Sequence, residues 1–322
     1  MKKKGFFNGH TLLNIGCVVL WIGCAVFDFT KGNYIICVLE SLLVLLFGYF
    51  TLKDVKAYKV SLKTYEKNKF ECKRNQLTIR GVEFKPKGQI KGIVVLSPDF
   101  LATSETLDQY AAYFANKGYI AYGFDFNGGS VMGGKSDGKT TDMSVLTEVE
   151  DLETVLSYVQ DKNHKYAKDI ILLGQGQGAF VSAIVASKLK GKIHKLVLLS
   201  PSLNIPDNVR HGYAMYGVFD PANIPDIIPC GVIKLGRRYV DDVMNMNAYD
   251  NIKNYVHDVL IIHGKEDEVV DVAYARNTYN TYINHTNNNR KVVLEIINDA
   301  KHAFTKEQSK VILEKIDQFL EK

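Results

Sequence analysis

Two long uncharged runs open the chain. Residues 11–27, TLLNIGCVVLWIGCAVF, carry no charge, and after DFTKG a second run, NYIICVLESLLVLLFGYF, spans 33–50 with Glu40 as its one ionisable group. Each is close to the roughly 20 residues that cross a bilayer as a helix. Aromatic residues (Trp21, Phe27, Phe29, Tyr34, Tyr49, Phe50) stand toward their ends, as at membrane interfaces. The pattern predicts a transmembrane hairpin over residues 1–52, where a secretory leader would show a single shorter apolar core and a small-residue cleavage site. A pair of buried helices in a soluble protein is the competing reading. Lys2, Lys3 and Lys4 precede the runs, only Lys31 lies between them, and Lys53, Lys56, Lys59, Lys63 and Lys67 follow. Positive charge at both outer ends places them in the cytoplasm, so the expectation is a two-helix cell-membrane protein with its remaining residues on the cytoplasmic side. Glu40 at membrane depth either marks a contact with a partner helix or packs as a neutral residue.

Beyond the runs the period changes. Residues 53–68 are polar and lysine-rich, spaced like a helix leaving the membrane. From 69 onward, apolar strand-like segments alternate with amphipathic ones. KFECKRNQLTIRGVEFKPKG reads as a strand pair, GIVVLSPDF as a buried strand, SETLDQYAAYFANKG as a helix stopped by Gly118, and YIAYGFDF as the next strand. The alternation continues through a helix over 142–162, strand DIILLG, a helix over 177–190 and strand HKLVLLSP, then after an irregular stretch through strand DVLIIHG, a helix near 272–283, strand KVVLEII and a final helix. Strands alternating with helices predict an α/β domain over 69–322, a mostly parallel sheet covered on both faces.

Composition narrows the chemistry. A length of 322 residues with 46% hydrophobic content suits one large α/β domain plus the hairpin. The net charge of +5 owes much to lysines around the apolar runs, so the expected partner is an anionic lipid bilayer and no nucleic acid. Cys17, Cys24, Cys37, Cys72 and Cys230 form no C-x-x-C pair, and no H-E-x-x-H is present. Reduced thiols and no metal site are expected.

The stretch ILLGQGQGAF, 171–180, fits two motifs. Gly174, Gly176 and Ala179 match the dinucleotide pattern G-x-G-x-x-A. Gly174 and Gly178 match the nucleophile elbow G-x-S-x-G, with Gly176 where the serine should stand. The dinucleotide reading needs this turn in the first βαβ unit and an acid ending the next strand. Several strands precede it, and the next one, KLVLLSPS, ends in serine and proline, so no dinucleotide or other cofactor is expected. The elbow reading fits, because Asp267 in LIIHGKEDEVV follows a late strand and His302 in NDAKHAFT follows the last one, in the order nucleophile, acid, histidine.

At GGKSDGKTTDMSVLTEVEDLETVL, LLGQGQGAF, IIHGKEDEVV and DAKHAF the chain resembles α/β-hydrolases of the cinnamoyl (feruloyl) esterase and serine-aminopeptidase-like group. The likeness runs over 69–322 and implies the α/β-hydrolase fold, with a small lid over about 202–250. It implies His302 as general base and Asp267 as the acid that orients it. The nucleophile's place falls on Gly176, which has no side chain to attack with. Relatives carry a His-Gly pair beside the oxyanion hole; here Pro98 and Asp99 replace it. The backbone N–H groups of Phe100 and Gln177 are then the expected oxyanion donors, with Asp99 an unfavourable charge beside them. His263, before a glycine turn, reads as structural.

These residues imply a membrane-anchored member of the group without serine-nucleophile activity, binding a small acyl- or ester-like ligand or a partner. The alternative is an active or engineered-inactive ester or peptide hydrolase using the Asp267–His302 pair on water, or with Ser97 or Ser130 standing in. The spacing predicts that Gly176→Ser alone restores weak His302-dependent ester hydrolysis, improved by Asp99→Gly.

Overall fold

A computed structural model describes residues 9–61, 64–130, 134–189, 191–285 and 290–321. The chain divides into two units, Met1–Thr64 and Tyr65–Lys322. The first holds helix α1 (Gly9–Thr30) and helix α2 (Tyr34–Ser61). In the turn between them Gly32 takes φ +81° and Asn33 Nδ2 donates to Asp28 Oδ1 at 2.8 Å. Residues 13–30 and 34–53 are long and apolar enough to cross a membrane, by length and composition. Glu40 is 7% exposed, on the side of α2 where Asp28 of α1 is its neighbour. Lys2 to Lys4 and Lys63 lie outside the described residues.

The lysine-rich stretch is no separate element at its start: α2 runs on to Ser61, and strand β1 (Tyr65–Arg74) begins ahead of Lys69. Its first residues are polar because β1 is the sheet's edge strand. From Tyr65 to Lys69 no side chain is fully buried, and Phe70 and Cys72 are the strand's two buried residues.

The second unit continues with β2 (Leu77–Pro86), β3 (Gly92–Ser97), a 3₁₀ turn at Ser104–Leu107, α3 (Asp108–Asn116), β4 (Tyr119–Phe124), α4 (Val145–Lys162), β5 (Ile170–Gln175), α5 (Gly176–Lys188) and β6 (Lys195–Leu199). An irregular region then holds α6 (Ile205–Arg210), the hairpin β7 (Tyr213–Ala214) and β8 (Gly217–Val218), the hairpin β9 (Ile227–Cys230) and β10 (Ile233–Gly236), α7 (Arg238–Asp241) and α8 (Ala248–Ile252). Strand β11 (Asp258–Gly264), α9 (Val272–Asn284), β12 (Val292–Ile297) and α10 (Lys306–Leu320) complete it. Among the described residues eight strands form one sheet in the order β1-β2-β4-β3-β5-β6-β11-β12. β1 and β2 pair antiparallel to their neighbours, and the rest is parallel.

Continuous Val, Ile and Leu runs make the central strands because both sheet faces are covered. Ile93 and Val95 of β3 pack with Val149, Leu152 and Phe180 on the α4–α5 side. Val94 and Leu96 pack with Phe114, Ile312 and Phe319 on the α3–α10 side. Burying each such side chain contributes about 1.5–3 kcal/mol, so β3 and β5 form a firm platform. α4 starts at Ser144, whose hydroxyl accepts the Thr147 N–H while Thr147 reciprocates, which satisfies two otherwise unpaired amides.

From β3 the chain goes to β4 on one side and later returns to β5 on the other. Such a reversal leaves a crevice at the carboxyl ends of the two strands. Asp99 follows β3 and Gly176 follows β5, so both face this crevice.

Candidate functional site

Strand β5 turns sharply into α5 at Gly176, whose φ of +53° lies in the left-handed region that side chains disfavour. The neighbouring glycine is there for closeness: a Cβ on Gly178 would fall 2.1 Å from Pro98 O. A strained strand-to-helix turn packed against the β3 loop is the geometry of a nucleophile elbow.

The β3 loop is equally tight. Ala102 N–H donates to Asp99 O at 3.0 Å, and Leu101 takes φ +60°. This turn swings the Asp99 carboxylate over Gly176. A Cβ at position 176 would lie 1.8 Å from Asp99 Oδ1 and 2.3 Å from Oδ2. The carboxylate therefore fills the volume in which a serine side chain would start. Oδ1 accepts the backbone N–H of Phe100 at 2.7 Å and that of Gln177 at 2.8 Å. Those are the two donors expected to stabilise an oxyanion. The sequence reading placed Asp99 beside the hole as a hindrance; in the structure Asp99 occupies it.

The other half of the site comes from two loops. Asp267 follows β11; its Oδ1 accepts Val269 N–H and Val270 N–H, both at 2.9 Å, and its Oδ2 accepts His302 Nδ1–H at 2.8 Å. His263 Nε2 lies 2.9 Å from Val270 O and 3.2 Å from Asp267 Oδ2, pinning this loop as a structural residue. His302, between β12 and α10, points Nε2 at Asp99 Oδ2, 3.1 Å away. The order Asp267, His302, Asp99 makes a continuous chain ending where the missing serine hydroxyl belongs.

Electrostatics follow from that chain. Burial alone pulls the His302 pKa down, but hydrogen bonds to Asp267 and Asp99 and their charges outweigh it and push the pKa up to about 9. His302 is thus an imidazolium at neutral pH, donating from both nitrogens. Asp267 pays a burial penalty that its bonds from His263, His302 and Val270 overcome, so its carboxyl titrates well below the usual range.

A buried network lies behind Gln177. Tyr239 OH donates to Gln177 Oε1 at 2.7 Å, and Gln177 Nε2 donates to Glu148 Oε2 at 2.9 Å. Complete burial drives the Glu148 carboxyl well above its ordinary range despite that bond. Glu148 and Tyr239 belong to no motif legible in the sequence. A signal existed for Glu148: it sits between Val145 and Leu152 on the apolar stripe of α4, where an acid is out of pattern.

Asp99 lies between two cavities. One of about 430 Å³ is lined by Asp99, Phe100, Gln177, Ile205, Met215 and His302. The other, about 280 Å³, lies toward Thr106, Tyr110, Phe304 and Ser309. The expected lid over 202–250 is used unevenly. Its first part, from Ser202 to Tyr216, lines the larger cavity; farther on, Tyr239 reaches back to Gln177 and its ring meets that of Phe100 with centroids 5.9 Å apart. Ser97 is buried with no partner for its hydroxyl, and Ser130 pairs its backbone with Leu101. Neither bonds His302, whose two nitrogens face carboxylates. No cluster of His, Cys, Asp or Glu fit to hold a metal ion occurs among the described residues.

The model of the family described as serine aminopeptidase, S33, matches residues 88–222. Est1E from Butyrivibrio proteoclasticus, solved with ferulic acid bound, superposes with a TM-score of 0.70 at 23% identity, over 78% of this chain and 97% of its own. GrgF, an α/β hydrolase from Penicillium sp. sh18, gives 0.59 at 18% over 79% and 98%. The Pyrococcus furiosus esterase Pf2001 gives 0.59 at 20% over 80% and 92%. Against curated proteins the chain has no match. The globular unit has the α/β-hydrolase fold, and within it residues 88–222 match the serine aminopeptidase, S33, model.

Proposed function

We propose that this protein is a membrane-anchored α/β-hydrolase-fold protein without serine-nucleophile chemistry, whose lid cavity holds a small, neutral acyl- or ester-like ligand. One observation carries the reading: the Asp99 carboxylate fills the serine's volume and both oxyanion donors. An acyl-enzyme has no hydroxyl to form on and no free hole to form in. The elbow, the Asp267–His302 pair and the cavity remain, which suits recognition.

Charge selects the ligand. The cavity is lined by Asp99 and Glu268, with His302 already engaged by two carboxylates. A ligand carboxylate would meet like charge there. The ferulic acid seen in Est1E would therefore be a poor ligand as its anion, whereas its methyl ester suits the apolar Phe100, Ile205 and Met215 walls. The apolar lengths of α1 and α2 support membrane anchoring.

Calorimetry on the full chain in detergent tests this with methyl ferulate and ferulate. Saturable binding of the ester, at least roughly tenfold tighter than the anion and lost in Ile205→Trp, is expected. Labelling by a fluorophosphonate that depends on His302, or equal binding of ester and anion, overturns it.

A further inference from the structure

We propose that the free edge of β12 is an interface: it pairs antiparallel with β12 of a second copy of this chain about a two-fold axis at Leu294, and so joins two sheets into one. This goes beyond the binding reading and uses none of the residues that line its cavity.

The sheet ends in β1 on one side and β12 on the other, and the sequence treats the two edges differently. A sheet edge presents a row of unpaired N–H and C=O groups, which proteins commonly guard with charged side chains. β1 is guarded: Glu66, Lys67, Lys69, Glu71 and Lys73 are exposed along it. β12, VVLEII, has neither lysine nor proline, and all its residues are half-buried. Its one charge, Glu295, is already held by Lys315 Nζ at 3.2 Å.

The ladder to β11 tells which backbone groups are free. Val259 N–H donates to Lys291 O and Lys265 N–H to Ile297 O, so the odd-numbered residues turn their backbone toward β11. Alternation then points the N–H and C=O groups of Val292, Leu294 and Ile296 outward, where no strand lies among the described residues. Three residues evenly spaced about Leu294 are self-complementary. Under a two-fold axis Leu294 faces its own copy and Val292 faces the second copy's Ile296, and each such pair exchanges two N–H···O bonds. No outward group of the strand is left over.

The side chains fit the same register. Val293 comes opposite the second copy's Glu295, on the face that α10 covers. Two Glu295–Lys315 pairs then meet around the axis as a neutral set of two carboxylates and two ammoniums, where bare acids would repel. Val311, one turn before Lys315 on the same side of α10, is 42% exposed and adds apolar surface beside the seam. A second copy supplies both the backbone groups and the counter-charges in register, which singles it out over an unrelated extended segment.

The test uses the full chain in detergent, with sedimentation and oxidative cross-linking as readouts. Wild type should sediment as a dimer. Leu294→Cys should cross-link to its own copy, because that pair sets the two Cα atoms about 5.5 Å apart, within disulfide reach. Val293→Cys, two residues out of step with itself, should stay at the wild-type background, while a mixture of Val293→Cys and Glu295→Cys chains should cross-link. Leu294→Pro removes an N–H that β11 does not use, a change sheet edges tolerate, and should sediment as a single chain with an unchanged circular dichroism spectrum. A wild-type chain that sediments singly up to roughly 100 μM, or Val293→Cys cross-linking to itself as readily as Leu294→Cys, would overturn the proposal. A monomer that instead takes up an extended peptide along β12 would overturn it too and give the edge to a different partner.

Discussion

The Asp99 carboxylate lies where a side chain at position 176 would begin, with Oδ1 1.8 Å from the place of a Gly176 Cβ. One residue's lack of a side chain and the other's inward turn are a single arrangement. Neither position can change alone without disturbing the oxyanion donors and His302.

Restoring serine therefore needs two substitutions. Gly176→Ser alone forces Asp99 off two backbone N–H groups. It should lower unfolding stability by about 1–3 kcal/mol, the usual range for overpacking, and show no ester hydrolysis. Gly176→Ser with Asp99→Gly frees both the space and the hole, and should gain His302-dependent hydrolysis of 4-nitrophenyl acetate. Equal activity in the single and double variants would contradict the structure. The order differs from the one read from spacing, in which serine alone sufficed.

Stability should fall as the solution turns alkaline. The His302 pKa is raised on folding, from 6.5 to about 9. Its contribution is complete below 6.5 and fades as pH climbs through about 9. On the order of 3 kcal/mol is at stake from a shift of that size. Urea unfolding between pH 6 and 10 should show this slope in wild type and a flatter profile in His302→Gln. Identical profiles would mean the imidazolium pair is not formed.

Glu148 should tolerate amidation and resist truncation. Burial raises its carboxyl well above the ordinary range and favours the neutral form, so Glu148→Gln, an uncharged side chain of the same shape, should preserve stability. Glu148→Ala leaves Gln177 Nε2 without its acceptor, a loss of about 1–3 kcal/mol for a buried polar group. Chemical denaturation of both variants decides; equal losses would count against the network.

The globular unit should fold from Tyr65. Lys67 bonds Asp108 at 2.6 Å, Asn68 bonds Glu83 at 3.0 Å, and the Tyr65 and Phe84 rings meet at 5.6 Å. A fragment of residues 65–322 should be soluble and melt several degrees above one of residues 69–322, since about 1 kcal/mol moves Tm by roughly 2–4 °C at this size. Equal melting temperatures would make those four residues dispensable.

Fusions address the membrane reading. Green fluorescent protein placed after Lys322 should fluoresce and alkaline phosphatase there should stay inactive, because lysines flank both outer ends of the apolar runs. Active phosphatase would reverse the topology.

Sequence and structure divide the explanation along physical lines. Local patterning carried the architecture: unbroken Val, Ile and Leu runs in β3, β5, β6 and β11 reflect burial on both faces, which leaves a mark on every residue of a strand. The chain order Gly176, Asp267, His302 was legible in the sequence because an elbow and two strand-end loops are local features. The edge strand's start at Tyr65 was hidden, since exposed polar residues there look like linker. Only the tertiary structure decided what Asp99 does. Its contacts to Gln177 and His302 lie 78 and 203 residues away along the chain, and no local pattern records which way a four-residue turn throws a carboxylate. That direction was set by the closeness of the β3 loop to Gly178 and by the empty space at Gly176, which exist only once β3 and β5 lie side by side.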